Sequence, residues 1–274
     1  MPRIALLQMT SGVDPEANFG AIADAARAAA GEGAAMLFTP EMSLLLDRDR
    51  GRGAGHILPQ ARSPFVPRFA ALAEETGITI ALGSMAVAHE AGEKYANRSM
   101  VFAPGSPAPV TYDKVHMFDV DLATGESWRE SNAYEPGRAV VTVEDTPVGR
   151  LGLAVCYDMR FPALWGALGD RRCDAIALPA AFTKPTGAAH WHVMLRARAI
   201  EAQAFVIAAA QVGHHEDGRE TYGHSLVVDP WGEVLLDMGG EAPGLGFCDI
   251  DLARIAAVRA QVPALANRRE IAKS

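Results

Sequence analysis

Between residues 3 and 84 the chain alternates short apolar runs with helix-forming segments, and this alternation limits the fold more than any other feature. Arg3–Met9 is apolar except at Arg3 and Gln8, the length of one buried strand. Asp14 followed by Pro15 supplies an N-cap and a first helical position, the Ala-rich stretch Ala25–Ala30 is helix interior, and Gly31 closes the helix. Met36–Thr39 is a second short strand, stopped by Pro40. Pro64–Thr76 then reads as a helix and Ile78–Ser84 as a third strand. The order β-α-β-α-β points to a layered α/β sheet.

The remaining chain adds hairpins to that pattern. Asn97–Ala103 and Pro109–Tyr112 flank a Pro-Gly-Ser-Pro turn, and Arg138–Val143 and Arg150–Val155 flank Pro147 and Gly149. Pro162–Asp170 and His190–Gln203 read as helices. Ala175–Pro179, Phe205–Gln211, Ser225–Val228, Val234–Leu236 and Gly246–Ile250 read as strands, with Asp229-Pro-Trp-Gly as a hairpin turn. Hairpins among α/β units predict mixed sheets. No linker or repeat interrupts residues 1–274, which read as one domain.

Composition closes off several classes of function. Hydrophobic residues make up 49% and charged residues 21%, which excludes a disordered chain. Acidic residues outnumber basic ones by 33 to 25, and no long Lys/Arg run exists, so no nucleic-acid partner is expected. Ile4–Leu7 is too short for a signal h-region, and the apolar stretches around Ala175 and Ala204 fall far below a membrane span. The expectation is a cytoplasmic protein without a membrane partner. Cys156, Cys173 and Cys248 form no C-x-x-C, which leaves three reduced thiols and argues against thiol–disulfide exchange.

Three polar residues follow apolar strands, where open α/β sheets place their sites. Glu41 follows Met36-Leu-Phe-Thr-Pro, Lys114 follows Val110-Thr-Tyr-Asp, and Cys156 follows Leu151-Gly-Leu-Ala-Val. A thiol attacks as thiolate, and a neighbouring ammonium lowers its pKa. A carboxylate can take the thiol proton and pass it to a leaving amine, while the ammonium stabilises an oxyanion together with the N–H of Tyr157. Taken singly, each has a plainer reading. A buried cysteine is usually a small core hydrophobe, and a Glu or Lys at a strand end is usually solvated.

The surrounding segments favour the chemical reading. Phe38-Thr-Pro-Glu-Met, Tyr112-Asp-Lys-Val-His-Met-Phe-Asp-Val-Asp and Gly152-Leu-Ala-Val-Cys-Tyr-Asp-Met-Arg-Phe-Pro resemble the three signature segments of the nitrilase superfamily of carbon–nitrogen hydrolases, in the family's order. The resemblance implies a four-layer αββα sandwich and an amidase without metal or other cofactor. In it Glu41 is general base, Lys114 the oxyanion-stabilising cation and Cys156 the nucleophile. It also implies that a second glutamate orients the lysine and the substrate amide. Arg129-Glu130-Ser131 matches that segment, so Glu130 is assigned ahead of Glu126. The family pairs subunits through outer helices, so a homodimer or a multiple of it is expected.

The C-terminal half is similar to the deaminated glutathione amidase branch, through Ala181-Phe-Thr-Lys-Pro-Thr-Gly, Leu195-Arg-Ala-Arg-Ala-Ile-Glu, Ala209-Ala-Gln-Val-Gly and Tyr222-Gly-His-Ser-Leu-Val-Val-Asp-Pro-Trp-Gly. The ω-amidase branch, acting on 2-oxoglutaramate or 2-oxosuccinamate, shares much of this pattern. An N-carbamoyl amino acid hydrolase and a non-catalytic scaffold are the remaining alternatives, although no motif residue is missing. Tyr157, Arg160, Phe182 and Thr183 are the expected substrate contacts. Arg160 could clamp a carboxylate or pair with Asp158 or Glu201, and Lys184 and arginines 48, 50 and 52 are further candidates. His116 could support Lys114 or simply pack. His190 and His192 point ~200° apart on a helix and cannot chelate one ion together, and His214-His215 reads as solvated loop.

Overall fold

The computed structural model describes residues 1–89, 94–123, 125, 127–269 and 271–272. The first sheet is built from β1 (Arg3–Gln8), β2 (Met36–Phe38), β3 (Thr79–Ala88), β4 (Tyr95–Phe102) and β5 (Val110–Asp113). After a two-stranded ribbon of β6 (Asp119–Asp121) and β7 (Ser127–Arg129), the second sheet takes β8 (Thr142–Thr146), β9 (Gly149–Leu153), β10 (Ala175–Ala177) and β11 (Phe205–Ala208). A second ribbon, β12 (Val212–His214) with β13 (Glu220–Tyr222), precedes β14 (Leu226–Val228) and β15 (Val234–Asp237), and β16 (Gly244–Asp249) returns to the first sheet. The orders are β16-β1-β2-β3-β4-β5 and β15-β14-β11-β10-β9-β8. In each sheet three parallel strands, β1-β2-β3 or β9-β10-β11, are flanked by antiparallel ones.

Every strand of the parallel centre is covered on both faces, which explains its unbroken apolar runs. Along β1, Ile4 and Leu6 enter a core shared with Leu151, Leu153, Ile176 and Ile207 of the second sheet. Ala5 and Leu7 face the other way, into a core with Phe19 and Ile22 of α1 (Pro15–Gly31). The same core takes Phe65 and Phe69. A four-residue α2 (Arg50–Gly53) precedes their helix, α3 (Phe65–Thr76). Outside the second sheet lie α4 (Pro162–Asp170) and α5 (Lys184–Ala202), which bury Trp165, Trp191 and Leu195. The result is the four-layer αββα sandwich. Two short helices, α6 (Ala253–Gln261) and α7 (Ala264–Asn267), end the described chain.

Several boundaries differ from those expected. α5 starts at Lys184 and not at His190, because Pro185 sits in the first turn, where a missing N–H costs nothing and φ is preset. The strand expected at Arg138–Val143 begins only at Thr142 and runs to Thr146. Phe205–Gln211 stops as a strand at Ala208, and residues 209–211 carry only isolated bridges to Ala180 and Met9. At the turn after β14, Asp229 Oδ1 accepts from the N–H groups of Trp231 and Glu233, and Gly232 takes φ +88°.

Candidate active site

Glu41, Lys114 and Cys156 leave the carboxyl ends of β2, β5 and β9 and meet between the sheets, with 5%, 2% and 7% of their surfaces exposed. Local backbone demands place each one. The turn after β2 runs so close to Gly83 that a Cβ there would lie 2.1 Å from the Thr39 carbonyl oxygen. From the second sheet, Gln211 braces this turn by donating to the Glu41 carbonyl at 3.0 Å. Lys114 N–H donates to the Asn97 carbonyl at 2.9 Å, and its own carbonyl accepts from Gly137. Cys156 sits at φ +47°, a left-handed conformation costing about 1–3 kcal/mol, on a sharp strand-to-helix turn. The following turn is pinned by buried Asp158, which accepts from Val155 N–H, Tyr112 Oη and His116 at 2.7–3.0 Å.

The lysine is held between two carboxylates. Its Nζ lies 3.0 Å from Glu41 Oε1 and 2.8 and 3.0 Å from the oxygens of Glu130. Asn97 Nδ2 donates to Oε1 of both glutamates, at 2.9 and 3.2 Å, which fixes the orientation of its amide. Glu130 Oε2 accepts from Phe118 N–H and Glu41 Oε2 from Ala181 N–H. Burial acts to raise the Glu41 carboxyl, but Lys114 and the surrounding donors outweigh it and hold it below the usual carboxylate range. Burial alone would also discharge Lys114. The charges of Glu130 and Glu41 instead hold it well above the ordinary lysine value.

The ammonium alone does not free a thiolate, because burial and the Glu41 charge push the Cys156 thiol well above its ordinary value. Lys114 acts in the opposite direction but is already paired twice. The geometry therefore suits transfer of the thiol proton to Glu41 during attack, not before it. Cys173 and Cys248, which burial pushes up to about 12 and about 11, have no such acid–lysine set.

A cavity of about 780 Å³ opens above these groups, and Tyr157, Phe182 and Thr183 are among its lining residues. Arg160 is not among its lining residues. Its guanidinium lies 3.3 Å from His190 Nδ1 and packs against the rings of Tyr157 and Phe182. Neither expected ion pair forms, since Asp158 is taken by Tyr112 and His116, and Glu201 by Arg198. The cavity's arginines are Arg48, Arg50, Arg129 and Arg219. Arg48 and Arg219 lie 5.0 and 5.4 Å from the ring centre of Trp128. Arg219 also pairs with Asp217, while Arg52 pairs with Asp47 and does not line the cavity. Glu126 lies outside the described residues.

His116 does not touch Lys114. It bonds Asp158 and stacks on Phe161 at 3.6 Å. Of the pair read as solvated, only His214 is exposed. His215 is buried between the Ser11 carbonyl and Thr221 Oγ1. Asn97, Trp128, Tyr134 and Arg219 escaped the sequence reading. Asn97 sits beside Arg98 and Ser99 in its strand, so its amide gave no separate signal.

The family model for carbon–nitrogen hydrolases matches residues 3–260, and the chain belongs to this family. A deaminated glutathione amidase from Bos taurus is 39% identical over 98% of this chain and 82% of its own length. The C. elegans NitFhit protein superposes with a TM-score of 0.89 at 33% identity, over 98% of this chain and 65% of that one. An amidase from Nesterenkonia sp. AN1, with acrylamide added at its active-site cysteine, superposes at 0.79 and 26% identity over 96% of this chain and 98% of that chain. The protein is a hydrolase of non-peptide carbon–nitrogen bonds. Among the described residues no helix is long and apolar enough to cross a membrane.

Proposed function

We propose that the protein hydrolyses the amide of a small dicarboxylate, with deaminated glutathione the best-fitting substrate. Cys156 Sγ attacks the amide carbon as Glu41 accepts the thiol proton. The oxyanion forms beside the Lys114 ammonium and the Tyr157 N–H. Glu41 then returns its proton to the departing amine, and the C–N bond breaks to leave a thioester on Cys156. Water, deprotonated by Glu41, adds to the thioester, and its collapse releases the acid and restores the thiol. Glu130 holds Lys114 in place and accepts from the substrate amide.

The observation that carries the substrate reading is the position of the arginines. Arg48 and Arg219 stand over Trp128 at the cavity wall, away from the buried lysine. A chain of net charge −8 cannot attract a dianion by its overall field, so local cations must do so. Deaminated glutathione carries one carboxylate on its acyl part and another at its glycine end, and the wall arginines suit the latter. 2-Oxoglutaramate lacks that second end. Amine or ammonia release from both substrates and from a neutral amide tests the reading, which fails if deaminated glutathione has the lowest kcat/KM.

The working form is a cytoplasmic homodimer, paired through outer helices. Supporting this, α5 leaves Val193 and Ile200 exposed at 62% and 49%. Light scattering at the 29.1 kDa of one chain would refute the dimer.

A further inference from the structure

On the far side of Trp191 and Tyr222 from the cavity, three metal-ligand side chains converge. His192 projects from the middle of α5, His224 precedes β14, and Asp237 ends β15. His192 Nε2 lies 2.9 Å from Asp237 Oδ2, and His224 Nδ1 lies 2.9 Å from Asp237 Oδ1. One ligand atom from each falls within 4.8 Å of the other two. We propose that His192, His224 and Asp237 form a binding site for a divalent cation of the zinc class, with solvent as the fourth ligand.

Four observations support the assignment. Two imidazole nitrogens and one carboxylate oxygen are the donor set of open, tetrahedral zinc sites, and imidazole favours late first-row metals over magnesium or calcium. Bonds of about 2.0–2.1 Å place tetrahedral ligands roughly 3.3 Å apart, and each imidazole nitrogen already lies 2.9 Å from an Asp237 oxygen. The ligands are held from outside the first contacts. The backbone amide of His224 donates to the Gly239 carbonyl, its backbone carbonyl accepts from Trp191 Nε1 at 2.8 Å, and its ring stacks on Tyr222 at 4.5 Å. Asp237 Oδ1 accepts from Gly239 N–H. Finally, the three side chains are 24–35% exposed, which gives an ion an entry path and room for water.

His192 could not chelate with its helical neighbour His190; its partners come instead from elements 32 and 45 residues along the chain. A bound ion would cross-link β15, an edge strand, to α5. The site lies outside the cavity lining, so its role is to hold structure and not to carry the amidase reaction.

The test is a titration of chelator-stripped, full-length protein with Co²⁺, followed by visible spectroscopy and displacement with Zn²⁺. The expected result is one equivalent of Co²⁺ with the strong visible bands of a tetrahedral site, unchanged in Cys156→Ala and accompanied by a rise in Tm. His192→Ala keeps a good helix former at a solvated position and so folds. It should weaken binding about 100-fold or more, beyond the ~10–100-fold cost of losing a supporting partner. Asp237→Asn should do likewise. The proposal is overturned if wild type binds no Co²⁺ at millimolar concentration, if His192→Ala binds as tightly as wild type, or if Cys156→Ala abolishes the bands.

Discussion

The floor and the wall of the cavity are built in different ways. Glu41, Lys114 and Cys156 are buried at the ends of three strands, and each backbone is tied by bonds between neighbouring segments. Arg48 and Arg219 stand on connections and Trp128 on the short ribbon strand β7, with Arg48 exposed and joined to the rest through Trp128 and a backbone bond to Asp217. A rigid floor keeps reacting groups within the small tolerances that chemistry demands, while a wall of loops can change without disturbing them. The contrast predicts that floor substitutions stop the reaction for every amide, whereas wall substitutions alter which amide is preferred.

Removing the Cys156 thiol should have the largest effect. Cys156→Ala is expected to lower kcat by roughly 10⁴-fold or more while leaving the melting profile of a folded protein, since alanine fits a small buried site. Cys156→Ser should be nearly as inactive, a hydroxyl being a poor nucleophile even beside Glu41. Amidase activity within about tenfold of wild type in either variant would remove Cys156 from the floor.

Next comes the route of the thiol proton. Glu41 is held below the usual carboxylate range, so it stays ionised at neutral pH and loses its base function only as pH falls through that depressed value. Cys156 and Lys114 are both raised, so neither introduces a limb near neutrality. The kcat/KM profile should therefore be level between about pH 6 and about pH 9. Iodoacetamide alkylation of Cys156 should slow by about 10²–10⁴-fold in Glu41→Gln. A standing thiolate would instead be alkylated at an undiminished rate in that variant.

The wall is tested by charge. Arg48→Ala and Arg219→Ala should each remove a charge-assisted contact of about 1.5–3 kcal/mol, a tenfold to hundredfold loss of kcat/KM for deaminated glutathione. A neutral amide of similar size should be nearly unaffected. Equal losses on both would mean that these arginines only hold Trp128 and the loop.

This difference in construction also explains what could be read in the sequence. The floor residues follow apolar runs whose length and period declare strands, so Glu41, Lys114 and Cys156 stood out where sheet ends collect chemistry. Asn97 was harder to see, because its role depends on two carboxylates brought from 56 residues before and 33 after it. Arg219 and Trp128 carry no periodic signal at all. Their meeting is decided by connections whose course no local pattern specifies. Arg160 shows the complementary case. Closeness to Cys156 in sequence suggested closeness to substrate, yet the turn that exposes the thiol sends position 160 toward α5 and His190.

Arg160→Ala is accordingly the smallest effect and the sharpest check on where the wall lies. The guanidinium meets His190 and the faces of Tyr157 and Phe182, so its loss removes packing behind two lining rings and no cation from the cavity. Deaminated glutathione and a neutral amide should slow by the same factor, within about threefold of wild type. A loss confined to the carboxylate-bearing substrate would bring Arg160 back as an anion contact and move the wall from Trp128 to the Tyr157–Phe182 side.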